Sequence, residues 1–190
     1  MNFHNITYPD MNNGDGLRVV LWLSGCSHRC KGCQNPQTWD VNSGIPFDEN
    51  AKEELFRELS KDYISGITFT GGDPLHENNL EEVAKLIFEI RKTLPNKNIW
   101  IYTGYQIEDL DYLKETNKYL NGECDFETAI NKEYENLIRL KILSECDVLV
   151  DGKYKEELRD VSLHWCGSSN QRVIDIQESL EKGEIVLWSS

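Results

Sequence analysis

The sequence predicts an α/β fold with mostly parallel strands, and three observations predict it. Short β-branched and aromatic runs recur along the chain: LRVVLWLS at 17–24, ISGITFTGGDP at 64–74, NIWIYTG at 98–104 and CDVLVDG at 146–152. Segments with apolar residues at helical spacing lie between them, so strand and helix alternate. The runs end at glycines, which stop a strand and open a loop. In sheets of this kind, functional sites gather at the carboxyl ends of the strands.

Taken in order, the run at 17–24 reads as a buried strand that stops at Gly25 and feeds a cysteine-rich loop. Beyond the loop, Asp48 or Asn50 caps a helix carrying Leu55, Phe56 and Leu59, and Asn50 with Glu53 fits a capping box. The strand within 64–74 follows, halted by Gly71, Gly72 and Pro74. Leu80, Val83, Ala84, Ile87, Ile90 and Leu94 then trace one apolar helix face ahead of the strand at 98–104. A further helix is expected over 106–114, while 115–132 is polar, poorly periodic and reads as an inserted loop. A helix over 134–143, the strand at 146–152, a fifth strand at 172–176, a short helix and a last strand at 185–188 complete the chain.

A chain of 190 residues with 39% hydrophobic content is expected to form a single domain over 1–190. Its 20 Lys and Arg stand against 33 Asp and Glu, a net charge of −13 that repels nucleic-acid phosphates and anionic lipid. Neither nucleic acid nor a membrane is therefore expected as a partner. The opening MNFHNITYPDMNN lacks a signal-peptide pattern and the apolar run at 19–23 is too short to cross a bilayer, so a cytoplasmic location is expected. Three of the six cysteines cluster and the others scatter to Cys124, Cys146 and Cys166, unlike a secreted disulfide framework. In a reducing compartment a tight cluster means metal or catalysis.

The spacing Cys26-x3-Cys30-x2-Cys33 places three thiols on one short loop, close enough to wrap a single inorganic centre. Closed structural zinc sites take four ligands, commonly from two separated pairs, and no second pair exists here. An iron–sulfur cube on three cysteines leaves one iron open to a small molecule. On spacing alone, iron–sulfur, zinc and a plain reduced thiol cluster all stay open. His28 has no histidine partner at ligand spacing and reads as a neighbour of the ligands or an exposed residue. In Gly71-Gly72-Asp73-Pro74 the glycines let the backbone approach a ligand and Asp73 suits an ammonium group, although an ordinary turn uses the same residues. Tyr102 to Tyr105 either line a pocket or pack, and Lys153 either meets a carboxylate or is solvated. Ser168, Asn170, Gln171 and Arg172 suit recognition of a partner or a satisfied turn, with recognition preferred. Cys146 and Cys166 read as small buried residues, and Trp22, Trp39, Trp100 and Trp188 as anchors.

CSHRCKGC after the first of these strands and GGDP after the second resemble the CxxxCxxC and GGE-type marks of the radical S-adenosylmethionine superfamily. More narrowly, DGLRVVLWLSGCSHRCKGCQNPQTWD, TFTGGDPL, IWIYTGY, DVLVDGKY and GSSNQRVIDIQ, in this order, are similar to the activating proteins of anaerobic ribonucleoside-triphosphate reductase. The resemblance implies a partial (β/α) barrel open on one side, in keeping with a chain shorter than the roughly 250 residues of a full eight-unit barrel. It implies one 4Fe-4S cluster per chain on Cys26, Cys30 and Cys33, with S-adenosyl-L-methionine on the open iron. Cofactor contacts are expected from Gly71, Gly72, Asp73, Pro74, Thr103 and Lys153. The implied reaction is reductive cleavage of that cofactor to a 5'-deoxyadenosyl radical, which takes hydrogen from a glycine of the large catalytic subunit of the reductase. A reduced donor such as flavodoxin or ferredoxin is expected to supply the electron. The alternatives are an activator of another glycyl radical enzyme, such as the pyruvate formate-lyase type, and, more remotely, a zinc-binding interaction module. The chain departs from the wider pattern in having Gly32 where an aromatic residue usually precedes the third cysteine, and Asp73 where the turn usually has Glu. It also carries Cys166 where members often have arginine.

Overall fold

The apolar run after Leu17 forms strand β2 (Arg18–Leu23), and the period-two alternation of a strand decides what each of its side chains meets. The structure, a computed structural model, describes residues 1–110, 122 and 125–189. Ahead of β2 lies β1 (Asn2–Asp10), antiparallel to it, with Ile6 opposite Leu21. No strand is expected there from the sequence, because NFHNITYPD is mostly polar; pairing with β2 and the burial of Phe3 and Ile6 hold it. β3 (Ile45–Pro46) pairs with the start of β1. Helix α1 (Glu49–Leu59) starts at Asp48, whose carboxylate accepts from the Ala51 N–H at 3.0 Å, so Asp48 is the cap and the Asn50–Glu53 box does not form.

β4 (Gly66–Gly71), α2 (Leu80–Thr93) and β5 (Asn98–Tyr102) follow as expected. The expected helix over 106–114 is, in its described part, a single 3-10 turn at Ile107–Leu110, and 111–114 lie outside the described residues. The expected loop at 115–132 is also corrected. Residues 126–132 open helix α3 (Phe126–Ser144), capped by Asp125, which accepts from Thr128 N–H at 2.9 Å; 115–121, Glu123 and Cys124 lie outside the described residues. Helical periodicity is hard to see over 126–132 because most of the stretch is polar and Ile130 faces outward beside the buried Ala129. β6 (Val148–Asp151), β7 (Arg172–Asp175), α4 (Ile176–Lys182) and β8 (Val186–Leu187) end the described chain.

The eight strands form one sheet in the order β3-β1-β2-β4-β5-β6-β7-β8. β2, β4, β5 and β6 are parallel; the pairings on either side of them are antiparallel. Between β6 and β7 the described chain has a 3-10 turn and loops but no α-helix, and a chain that returns without a crossover helix pairs antiparallel. β3 and β8 end the order without pairing each other, so the sheet is not a closed barrel.

Val19, Leu21 and Leu23 share one sheet face with Ile67, Phe69, Ile99, Ile101 and Leu149, in one core with Leu55, Leu59, Ile87, Ile90 and Ile142 of the helices. Alternation therefore puts Arg18, Trp22, Thr68, Thr70, Trp100 and Tyr102 on the other face, which the α-helices leave uncovered. At the amino ends of the strands this face is plugged. Arg18 is fully buried, donating to Thr68 Oγ1 (2.7 Å), Asn98 Oδ1 (2.6 Å) and the Ile67 carbonyl (2.7 Å) with its guanidinium 5.1 Å from the Trp100 ring centre. Asp15 accepts from the indoles of Trp165 (3.1 Å) and Trp188 (2.7 Å), which flank Trp100 edge-on. The carboxyl ends are left for the site. Among the described residues no helix is long and apolar enough to cross a membrane.

Candidate functional site

β2 delivers the chain to Ser24 and Gly25, and the cysteine loop departs from there. Gly25 (φ +94°) donates to the Thr38 carbonyl at 2.7 Å and Cys26 to the Trp39 carbonyl at 3.1 Å, so the loop leaves and returns at one point. Within it, the Cys33 N–H donates to the Cys30 carbonyl at 3.1 Å, and the Asn35 N–H reaches the Cys33 sulfur at 3.3 Å. All three thiols are free and half-buried. Burial pushes the Cys26 thiol up to about 11 and raises that of Cys30, so their protons leave as a metal centre binds.

The glycine turn is tied to this loop. Gly71 (φ +92°) ends β4, then the Gly72 N–H donates to the Leu23 carbonyl and the Asp73 N–H to the Gly25 carbonyl, both at 2.7 Å. A Cβ on Gly72 would lie 2.6 Å from the Gly25 oxygen and 3.0 Å from that of Leu23. Packing of chain on chain therefore demands this glycine, whatever a ligand demands as well.

Asp73 is the electrostatic centre of the site and is only 2% exposed. Its Oδ1 accepts from Leu75 N–H (2.8 Å) and Thr103 Oγ1 (2.9 Å); its Oδ2 accepts from Gly104 N–H (2.9 Å) and Thr103 Oγ1 (3.0 Å). His28 Nε2, from the cysteine loop, sits 2.8 Å from Oδ2, at charge-contact distance but with its N–H not aligned for a hydrogen bond. Burial acts to raise the carboxyl pKa, but His28 and the Gly104 and Leu75 amides outweigh it and hold Asp73 below the usual carboxylate range. The carboxylate thus stitches together β4's turn, β5's end and the cysteine loop.

One cavity is lined by Cys26, Cys30, Gly71, Gly72, Asp73 and Thr103, together with His28, Thr70, Tyr102, Tyr154 and Gln171. An adjoining groove on the uncovered sheet face holds Cys30 and Cys33 with Trp22, Thr70, Tyr102, Trp165 and Cys166. Pro74 is buried behind the turn and lines neither. Lys153 is exposed at a neighbouring recess with His28, Gly104, Tyr105 and Arg139. Among the described residues no three His, Cys, Asp or Glu side chains converge as a complete metal site. Three free thiols on one loop are the donor set of a cluster with one open iron.

Other sequence expectations resolve differently. Gln171 Oε1 accepts from Gly167 N–H (3.0 Å), its amide donates to the Gly152 carbonyl (2.9 Å), and Asn170 donates to the Lys153 carbonyl (2.9 Å). Ser168 is buried against Asn170, and Arg172 is paired with Asp151 and, bidentately, with Glu108 (2.8 Å each). The polar run is therefore a satisfied turn, against the preference for recognition. Cys146 is buried, but Cys166 is half-buried and faces the groove. Thr70 and Tyr154 fall within the quoted motifs but are not among the expected site residues, and Gln171, named with the polar run, lines both the cavity and the groove; for Thr70 the alternation with Trp22 and Tyr102 was an available signal.

A family model described as a 4Fe-4S single cluster domain matches residues 12–174. The chain is 38% identical over 175 residues to an anaerobic ribonucleoside-triphosphate reductase-activating protein of Escherichia coli (strain K12), covering 91% of this chain and 97% of that one. A protein of the same name from Enterobacteria phage T4 is 39% identical over 173 residues (91% and 93%), and one from Pasteurella multocida (strain Pm70) is 34% identical over 173 residues (90% and 95%).

Proposed function

The chain belongs to the family of anaerobic ribonucleoside-triphosphate reductase-activating proteins, and from that premise we propose how its residues are used. It is an enzyme, a radical S-adenosylmethionine oxidoreductase with a 4Fe-4S cluster; activation of another glycyl radical enzyme, the pyruvate formate-lyase type included, is not favoured. When bound, the cluster supplies the electron that cleaves S-adenosylmethionine, and the resulting 5'-deoxyadenosyl radical removes hydrogen from a glycine of the reductase's large subunit.

Cys26, Cys30 and Cys33 hold the cluster, and the hydrogen-bonded return of their loop keeps it at the carboxyl end of β2. Gly71 and Gly72 leave room beside it, Asp73 receives the cofactor's ammonium, and Thr103 orients that carboxylate from β5. Pro74 shapes the turn from behind. Lys153, exposed at the recess beside β6's end, would meet the cofactor's carboxylate. The uncovered sheet face supports a partial (β/α) barrel of the radical S-adenosylmethionine type, and the groove beside Cys30 and Cys33 is where a glycine-bearing loop would approach. One sheet running through the described chain supports a single domain over 1–190. A reduced flavodoxin or ferredoxin as electron donor, and a cytoplasmic site of action, complete the reading.

One observation carries it: the cysteine loop and the glycine turn are hydrogen-bonded to each other around a single cavity. The test is low-temperature electron paramagnetic resonance on the reconstituted, dithionite-reduced protein, with and without S-adenosylmethionine, followed by mixing with the large subunit. A cluster signal reshaped by the cofactor and a glycyl radical on the partner are expected. A signal unmoved by the cofactor, or a radical arising only on a formate-lyase, overturns it.

A further inference from the structure

We propose that His28 is a positioning residue that competes with the cofactor's ammonium for the Asp73 carboxylate, so that S-adenosylmethionine binding and release of His28 from Asp73 are one coupled event. This rests on the reading above that Asp73 receives the ammonium. The carboxylate is already well supplied: Leu75 N–H, Thr103 Oγ1 and Gly104 N–H hold both oxygens at 2.8–3.0 Å, and His28 Nε2 stands 2.8 Å from Oδ2. Three donors hydrogen-bond to the carboxylate and the His28 ring stands against Oδ2 on the remaining approach, so a further cation reaching that oxygen must displace one of these neighbours. Two of them are backbone amides and Thr103 is buried at the end of β5, where its own N–H is bonded to the Val150 carbonyl. His28 differs on two counts. It belongs to the cysteine loop, and its N–H is not aligned with Oδ2. It is the donor that yields at least cost.

The ring is nonetheless held in place. It stacks edge-on against Tyr105 with ring centres 4.7 Å apart and covers Gly104 so closely that a Cβ there would overlap it. Arg139, 4.9 Å from the centre of the Tyr105 ring, backs this stack. His28 thus links the loop that carries Cys26 and Cys30 to the carboxylate across the cavity, and the cofactor's ammonium takes the place of the ring beside Oδ2.

The experiment measures S-adenosylmethionine binding by anaerobic equilibrium dialysis on cluster-loaded protein, with iron content matched between variants. His28→Phe keeps the stack on Tyr105 and Gly104 while removing the polar contact, and His28→Ala serves if that variant loses its cluster. Tighter binding, by roughly five- to tenfold for one lost competing contact, is expected. An analogue lacking the amino group should bind wild type and variant alike, since it does not seek Asp73. Unchanged or weaker binding of S-adenosylmethionine overturns the proposal, and so does an equal gain for the analogue, which would mean that His28 merely fills space. Asp73→Asn tests the underlying reading by itself: undiminished cofactor affinity there overturns the assignment of the ammonium to Asp73, whatever His28 does.

Discussion

Replacing Gly72 by alanine separates two reasons for a glycine at this turn. An added Cβ would stand 2.6 Å from the Gly25 carbonyl oxygen and 3.0 Å from the Leu23 oxygen and the Ser24 carbonyl carbon, all backbone atoms that cannot swing aside. The turn must back away, straining or breaking the 2.7 Å bonds from Gly72 N–H to Leu23 and from Asp73 N–H to Gly25. Loss of two such bonds at about 1 kcal/mol each, with overpacking of about 1–3 kcal/mol, gives an expected destabilisation of about 3–5 kcal/mol. For a chain of this size that corresponds to a fall in Tm of roughly 6–20 °C. The assay is urea or thermal unfolding followed by circular dichroism on protein stripped of iron, where no ligand contributes. A stability within about 0.5 kcal/mol of wild type would refute the packing argument and leave ligand approach as the reason for Gly72.

Three further outcomes are expected. Simultaneous replacement of Cys26, Cys30 and Cys33 by alanine should abolish iron binding, the visible absorbance of the cluster and partner activation while leaving the far-ultraviolet dichroism intact, because none of the three belongs to the core; retained activity would remove the ligand assignment. Asp15→Ala should free the Trp165 and Trp188 indoles, costing about 3–6 kcal/mol for two hydrogen bonds to a charged acceptor and shifting tryptophan emission to the red; unchanged emission would argue against the clamp. Arg172 holds the Glu108 carboxyl down to about 2, so this pair adds stability above the ordinary glutamate pKa and loses it as pH falls from about 4.5 to about 2. Glu108→Gln should therefore flatten the acid limb of the stability profile in that window, modestly because Glu108 is more than half exposed; an unaltered limb would show that the pair is screened out.

The parts of the site legible in the sequence were those confined to short segments. The three cysteines, the Gly71-Gly72-Asp73 turn and the four parallel strands depend on local spacing and on apolar runs, and each stands at its expected place in the chain. What escaped notice depends on distant partners. β1 has too few apolar residues to announce itself and exists because β2 offers it an edge. The beginning of α3 was obscured because 126–132 is mostly polar, and the helix is tied down farther along, where Arg139 donates to the Leu75 carbonyl at 2.9 Å, a bond made across 64 residues of sequence. The polar run Ser168–Arg172 looked available for a partner, since sequence cannot show that Gly152, Lys153, Asp151 and Glu108 have already taken its hydrogen bonds.

The sequence by itself determined the chemistry the protein can host: three thiols on one loop after a strand, a glycine turn with a carboxylate after the next, and an α/β alternation that sends both to the same end of a sheet. Those are properties of neighbouring residues, set by periods of two and 3.6 and by the reach of a short loop. Only the tertiary structure decided how the parts meet. It paired Gly72 with Leu23, laid His28 on Asp73 and left one face of the sheet uncovered by α-helices. It also turned Arg172 inward to the fully buried Asp151. These contacts join residues tens of positions apart, and their strength comes from burial and geometry that exist only once the chain has closed on itself.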